Sequence, residues 1–201
     1  MPIRAPRPQQ CWTKSWAVLI FVCLAACIQR PTSVSQRREA FDRTNLSDVI
    51  VRDVPATARP VHAVFGEAVE LVGMEVDPPT AHPGEAVQVT YYLRVQDEPE
   101  EDYMVFVHAD ELDERGHGGS ERIHADHFPA SGRYPTGVWR KGEVVRDVWT
   151  LKVPSSFRGE AVALWTGFYP PGKDDRWPLT NPKNVVNDGQ NRVRAGVVPV
   201  R

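Results

Sequence analysis

Short runs of alternating apolar and polar residues, separated by proline, glycine and acidic turns, most strongly limit how this chain can fold. The clearest run is Ala86–Val95, in which apolar side chains occupy every second position from Val87 to Val95. Because the side chains of a strand point alternately to its two faces, this pattern predicts a half-buried β-strand. Comparable runs recur at residues 67–76, 103–109, 145–153, 161–169 and 193–200.

The spacing of these runs indicates the fold class. Breakers such as Asp77-Pro78-Pro79 and Pro170-Pro171-Gly172 end the strands, and no run shows the sustained apolar stripe of a capped helix. Short strands at this spacing are typical of an antiparallel sandwich. We therefore expect an all-β, antiparallel, immunoglobulin-like sandwich of about seven strands over residues 65–201.

Several short motifs occur in this region in a fixed order. They are Pro83-Gly84-Glu85, Tyr103–His108, Asp126–Pro129, Gly132–Trp139, Gly142–Asp147 and Gly167–Tyr169. Together they resemble a β-sandwich module of bacterial envelope proteins, which is often appended to membrane glycosyltransferases and also occurs in lipoproteins. The resemblance covers about residues 66–201 and implies a noncatalytic extracytoplasmic domain, with no catalytic residues carried over.

A basic and then apolar segment precedes this region. Arg4, Arg7 and Lys14 are followed by the apolar run Trp16–Leu24. That run has the roughly 7–15 residues of a secretory signal core and is shorter than the roughly 20 residues that span a bilayer. The order Leu24-Ala25-Ala26-Cys27 resembles the lipobox of bacterial lipoproteins. The resemblance implies that residues 1–26 are a cleaved signal peptide and that Cys27 becomes the acylated first residue.

A lipid on Cys27 has consequences for location and stability. Several acyl chains on one residue anchor a protein stably, so we expect attachment to a membrane. Cys11 and Cys23 leave with the signal peptide, so the mature chain cannot form an internal disulfide. Ile28 stands where the best-studied lipoproteins carry an aspartate to stay at the inner membrane, which favours the outer membrane, facing the periplasm or the exterior.

The residues between the lipobox and the first strand are rich in Arg, Ser, Thr, Asp and Pro and show little periodicity. We predict that residues 27–64 form the lipidated N-terminus and a flexible linker, with a short possible helical turn over residues 35–41. Loss of residues 1–26 removes three basic and no acidic residues, which changes the net charge from −2 to −5. Because a nucleic-acid binder needs a basic patch interleaved with aromatic residues, we expect no nucleic-acid partner.

Histidines and aspartates cluster between residues 108 and 127, and the candidate metal ligands are His108, Asp110, His124, Asp126 and His127. A His-x-Asp pair on a strand places both side chains on one face, and two such pairs on neighbouring strands could bind a metal through nitrogen and oxygen. The alternative is that these groups hydrogen-bond across strands and hold the loop before Trp139. We expect no cofactor besides the lipid, and a metal-binding protein is the alternative.

Three aromatic residues offer a different binding mode. Trp165 and Tyr169 lie on the strand face opposite Val162 and Leu164, and with Trp177 they could stack on a sugar ring. We expect Trp139 and Trp149 to lie in the core or at its edge. A carbohydrate-binding module using Trp165, Tyr169 and Trp177 is therefore a third interpretation.

The sequence does not favour an enzyme. Gly118-Gly119-Ser120-Glu121 does not complete the G-x-S-x-G motif of a serine nucleophile. The acidic run between residues 97 and 102 is typical of a solvated turn. We expect a lipid-anchored cell-envelope protein with a noncatalytic binding or assembly-support role, and an envelope protein or glycan as its partner besides the membrane.

Overall fold

A computed structural model describes residues 33–201. The proposed signal peptide, the lipobox with Cys27 and the start of the proposed linker lie outside the described residues. Within 33–201 the chain forms one short α-helix and nine β-strands. None of the helices in this part of the chain has the length and apolar character needed to cross a membrane.

Five strands form one antiparallel sheet. They are β1 (Ile50–Val51), β2 (Arg59–Phe65), β3 (Val69–Asp77), β4 (Ala86–Val95) and β7 (Val144–Lys152), in the order β1-β7-β4-β3-β2. The strand β4 is central, and its predicted apolar face from Val87 to Val95 is buried throughout. Its register places Val89 opposite Trp149 and Tyr91 opposite Asp147, and all four side chains are buried in the interior.

Four strands form the second antiparallel sheet. They are β5 (Met104–Leu112), β6 (Gly118–His124), β8 (Ala161–Tyr169) and β9 (Val193–Pro199), in the order β6-β5-β8-β9. The two sheets together enclose one core. In an immunoglobulin domain, one sheet contains strands A, B and E side by side, and the other contains C′, C, F and G. Here β3, β4 and β7 are adjacent in the first sheet, and the second sheet has the order β6, β5, β8 and β9. The topology is therefore immunoglobulin-like. The all-β sandwich is confirmed, with nine strands rather than seven.

The segment predicted as a flexible linker is folded over residues 33–64. The helix α1 (Val34–Ala40) begins with a capping box, in which the Ser33 hydroxyl accepts from the Gln36 N–H at 3.2 Å. Farther along, Leu46 and Val49 are buried in the common core. The strand β1 then pairs with β7, with Ile50 opposite Val145. The folded domain therefore starts about thirty residues earlier than predicted.

Long-range ion pairs hold this N-terminal segment on the sandwich. The Arg37 guanidinium donates to Asp102 at 2.7 Å, and Arg38, which is buried, donates to Glu98 at 2.8 Å and to the Pro99 carbonyl at 2.7 Å. The acidic turn before β5 therefore binds α1 and is not simply solvated.

Candidate functional site

The outer face of the four-stranded sheet carries most of the side chains that the sequence singled out. On β5, Phe106, His108 and Asp110 follow one another at every second position and point to the same side. The register places His108 opposite His124 on one neighbouring strand and opposite Trp165 on the other. Period-two geometry and antiparallel pairing thus bring together residues that are far apart in sequence.

Three of the five predicted metal ligands meet at this face. His108, His124 and Asp126 each offer a ligand atom, and these atoms lie within 4.8 Å of one another. The two imidazole rings have centroids 4.7 Å apart and cross at 75°. The Asp126 carboxylate accepts hydrogen bonds from the Val107 N–H at 3.0 Å and from the Tyr169 hydroxyl at 3.3 Å, so its position is held from two sides.

The other two predicted ligands are engaged elsewhere. Arg122 holds Asp110 with a two-pronged ion pair that includes a 2.9 Å contact from Nη2 to Oδ2. His127 uses both ring nitrogens, one toward the Ala125 carbonyl at 2.8 Å and the other toward Asp147 at 2.9 Å. The predicted set of five therefore separates into one triad and two structural pairs.

A cavity of about 210 Å³ opens beside the triad. Its wall includes His108 and Asp126, so the cavity and the triad share two residues. The Tyr169 side chain is half-buried, and the Arg176 guanidinium lies 4.6 Å from the centroid of the Phe106 ring. The lining residues are Phe106, His108, Asp126, Tyr169, Lys173, Asp174 and Arg176.

Local electrostatics keep the His108 and Tyr169 side chains of this wall uncharged. Burial, followed by the positive charge of Arg122, lowers the pKa of His108 below its ordinary value, so the imidazole is neutral at pH 7. Burial, followed by the charge of Asp126, raises the pKa of the Tyr169 hydroxyl. The Tyr169 hydroxyl therefore stays protonated and remains the donor in its hydrogen bond to Asp126.

The three aromatic residues proposed as a sugar platform do not share one surface. Trp165 lies under the Arg192 guanidinium, which is 4.8 Å from its ring centroid. Trp177 stacks on Tyr103 with centroids 4.1 Å apart and meets the edge of Phe168 at 5.8 Å. Tyr169 alone of the three lines the cavity. Trp177 is part of the packing at the end of the sandwich, whereas Trp139 and Trp149 are core residues as predicted.

Sequence reasoning missed four residues of the cavity wall, Phe106, Lys173, Asp174 and Arg176. The period-two pattern could have revealed Phe106, because it lies two residues before His108 on the same strand. The other three belong to the segment after β8, which folds back over the sheet. No local pattern in that segment indicates where it folds.

A larger cavity of about 520 Å³ lies on the outer face of the five-stranded sheet. Its lining residues are Thr57, Arg59, Glu75, Val76, Asp77, Pro79, Gln88, Thr90 and Arg146, none of which is aromatic. Glu75 is already bound by the Thr57 hydroxyl and by the Tyr92 hydroxyl, the latter at 2.6 Å. The smaller cavity combines an aromatic ring with titratable groups and is therefore the better candidate for a specific site.

Comparison with known proteins finds structures with a similar fold but does not identify a family for this chain. No protein-family model matches the chain, and no curated protein matches it. Among solved structures, the C-terminal domain of Wzt has a TM-score of 0.45 and 12% identity, covering 72% of this chain and 80% of that chain. The Pseudomonas fluorescens alkylpurine DNA glycosylase AlkC, bound to DNA containing an abasic site analogue, has a TM-score of 0.37 and 11% identity, covering 67% and 30%. Neither similarity carries an inference about function.

Proposed function

We propose that this chain is a lipid-anchored cell-envelope protein that acts by binding, not by catalysis, and that its cavity beside Tyr169 binds one unit of a neutral saccharide. The observation that carries the proposal is the composition of the cavity wall. The half-buried ring of Tyr169 stands among polar side chains that converge from β5, from Asp126 just after β6 and from the segment after β8. A sugar ring presents apolar C–H faces together with hydroxyls, and such a wall matches both.

The charges of the wall favour a neutral ligand. The wall holds two cations, Lys173 and Arg176, and two carboxylates, Asp126 and Asp174, and Lys173 also pairs with Glu101 at 2.9 Å. The lowered pKa of His108 keeps its ring neutral. The cavity, at about 210 Å³, is also smaller than the roughly 300–1,000 Å³ that is common for sites of drug-sized molecules. The site therefore suits a single sugar unit, such as the end or one residue of a longer glycan.

The proposed anchor keeps the folded domain close to a membrane. Ser33, the N-cap of α1, is separated from Cys27 by residues 28–32 only. A fully extended stretch of that length reaches about 20 Å. If Cys27 carries the lipid, the folded domain stays next to the bilayer, and its ligand is expected among the glycans of that surface.

Saccharide binding can be measured by calorimetric titration of the full-length protein in detergent with a panel of neutral envelope sugars. Tyr169→Ala and Asp174→Ala should each weaken binding at least 10-fold. Phe128→Ala is the matched control, because Phe128 is an exposed aromatic outside the cavity wall. Absence of binding across the panel, together with crosslinking to an envelope protein, would replace the saccharide with a protein partner.

The anchor is tested separately by mass spectrometry of the mature N-terminus. The proposal expects diacylglycerol on Cys27 and loss of residues 1–26, and it expects Cys27→Ser to release the protein from the membrane fraction. Cleavage at another residue without added lipid would contradict the anchor and leave the saccharide site as a separate question.

A further inference from the structure

His108 and His124 form a cross-strand pair on the outer face of the four-stranded sheet. They are register partners between β5 and β6, so their Cβ atoms leave the same face of adjacent strands. The His124 side chain is exposed and His108 is half-buried. An imidazole pair of this kind can direct two nitrogen donors to one point above the sheet.

Asp126 supplies the third donor from the extension of β6. Its Oδ1 accepts from the Val107 N–H at 3.0 Å, which orients the carboxylate toward the histidine pair and leaves further lone pairs available. The Tyr169 hydroxyl, 3.3 Å from Oδ2, supports it from the cavity side. Hydrogen bonds to a ligand carboxylate are the usual outer support of a protein metal site.

The three donor atoms are nearly close enough to share one ion. They lie within 4.8 Å of one another, whereas donors about 2.0–2.1 Å from a tetrahedral zinc are separated by about 3.3 Å. The His124 side chain is exposed, so its rotation can close this gap without moving the sheet or the hydrogen-bonded Asp126. Solvent reaches the same point, which gives an ion a path of entry.

Two guanidinium groups stand beside the triad on the sheet, and carboxylates offset both. Lys173 and Arg176 lie in the adjoining cavity wall, together with the carboxylate of Asp174. Arg122 is paired with Asp110. Arg192, whose Nη1 lies 3.4 Å from His108 Nδ1, contacts Asp188 and also Asp110 at 3.7 Å. The local balance therefore does not oppose a divalent cation as strongly as two unpaired arginines would.

We propose that His108, His124 and Asp126 bind one divalent transition metal ion of the zinc class, with a coordination position left open to solvent. Two imidazole nitrogens and one carboxylate suit such ions better than calcium or magnesium, which prefer all-oxygen sites. The site goes beyond the proposed function and needs no saccharide. Because His108 and Asp126 also line the cavity, the ion would lie at the cavity wall.

The experiment uses the full-length protein without an affinity tag, in detergent, stripped with a chelator and titrated with zinc sulfate. The expected result is one saturable equivalent. His108→Ala, His124→Ala and Asp126→Asn should each weaken zinc binding at least 10-fold. His117→Ala and His62→Ala are matched controls, since both histidines are exposed and lie outside the triad, and they should leave affinity unchanged.

Cobalt substitution separates this site from thiol binding. The triad predicts a cobalt spectrum without sulfur-to-metal charge transfer, whereas binding by Cys11, Cys23 or an unmodified Cys27 would show it. Circular dichroism of each variant verifies folding. Lack of saturable binding by folded wild-type protein, or equal affinity in wild type and His124→Ala, would overturn the proposal. Saccharide titrations with and without zinc test the proposed saccharide binding separately, so failure of zinc binding can be distinguished from failure of saccharide binding.

Discussion

His127 donates a hydrogen bond from Nε2 to Oδ2 of Asp147 across 2.9 Å, and Asp147 is completely buried among the core residues of β7. The other oxygen of Asp147 accepts from the Ala130 N–H at 2.8 Å, at a residue that adopts a left-handed backbone with φ of 51°. The Nδ1 atom of His127 donates to the Ala125 carbonyl at 2.8 Å. Both ring nitrogens thus act as donors, which describes an imidazolium paired with a carboxylate.

Stability should fall as the pH rises through the titration of His127. Burial lowers its pKa, but the hydrogen bond and charge of Asp147 outweigh burial, so the pKa in the folded protein lies above the ordinary 6.5. The folded state therefore holds a proton that the unfolded state releases, and this stabilisation is complete below the unfolded pKa and is lost at higher pH. Urea unfolding midpoints between about pH 6 and about pH 9 measure the decline.

Asp147→Asn is the control for this pH dependence. The amide oxygen can still accept from the Ala130 N–H, and the amide NH2 can donate to the unprotonated Nε2 of a neutral His127. The variant then has no imidazolium to stabilise, so the decline assigned to His127 should disappear. A wild-type profile that is flat over the same range, or one that Asp147→Asn leaves unchanged, would contradict the assignment.

Asp147→Ala should destabilise the domain strongly. It leaves the Ala130 N–H and the His127 imidazolium buried without their acceptor, and losing one member of a buried pair costs about 3–5 kcal/mol. The free energy of unfolding from urea denaturation measures the loss. Asp48→Ala removes an exposed partner of Arg133 and should have little effect. Similar losses in the two variants would argue against a structural role for the buried pair.

Gly66→Ala should reveal how firmly Trp177 is packed. Gly66 has a φ of +56°, and a Cβ there would meet the indole of Trp177 well inside contact distance. Gly172, with a φ of +75° and open space around it, provides a control that shares the backbone strain and lacks the clash. Because Trp177 is stacked on Tyr103, Gly66→Ala should lose about 1–3 kcal/mol more unfolding free energy than Gly172→Ala.

Equal losses in these two glycine variants would mean that Trp177 swings freely out of the way. In that case the Trp177 side chain would be available to stack on a sugar ring. Unfolding followed by both circular dichroism and tryptophan fluorescence distinguishes the outcomes.

Leu46→Ala tests whether the segment before β1 belongs to the folded domain. Leu46 is buried in the common core, and truncating a buried leucine to alanine costs about 2–5 kcal/mol. Val186→Ala, at an exposed apolar residue, should be nearly neutral. Urea denaturation of both variants gives the comparison. A neutral Leu46→Ala would support the flexible linker that the sequence composition predicts.

The strands that sequence analysis identified best have a face that is buried without interruption. In β4 the alternation of apolar residues coincides with burial at every predicted position from Val87 to Val95. By contrast, β6, which begins at Gly118, is absent from the alternating runs that predict strands. It is an edge strand with mostly exposed or half-buried side chains, so its sequence carries no apolar alternation to detect.

The N-terminal segment was mispredicted because its contacts are non-local. Arg37 and Arg38 bind acidic residues more than fifty positions away, and Leu46 and Val49 are too few to show a period. The candidate site illustrates the same limit. His-x-Asp spacing identified His108 with Asp110 and His124 with Asp126. Only the sheet register shows that His108, His124 and Asp126 meet, while Asp110 and His127 turn to Arg122 and Asp147.

The sequence by itself determined the all-β class, the main strands and the residues of the inner faces, because period-two alternation is a local record of burial. Tertiary structure decided which polar side chains meet. Pairing of β5 with β6 and β8 brings His108, His124 and Tyr169 close to one cavity. Trp177 instead stacks on Tyr103 at the end of the sandwich and does not line that cavity. Such contacts depend on strand order and register, which the pattern within one strand does not specify.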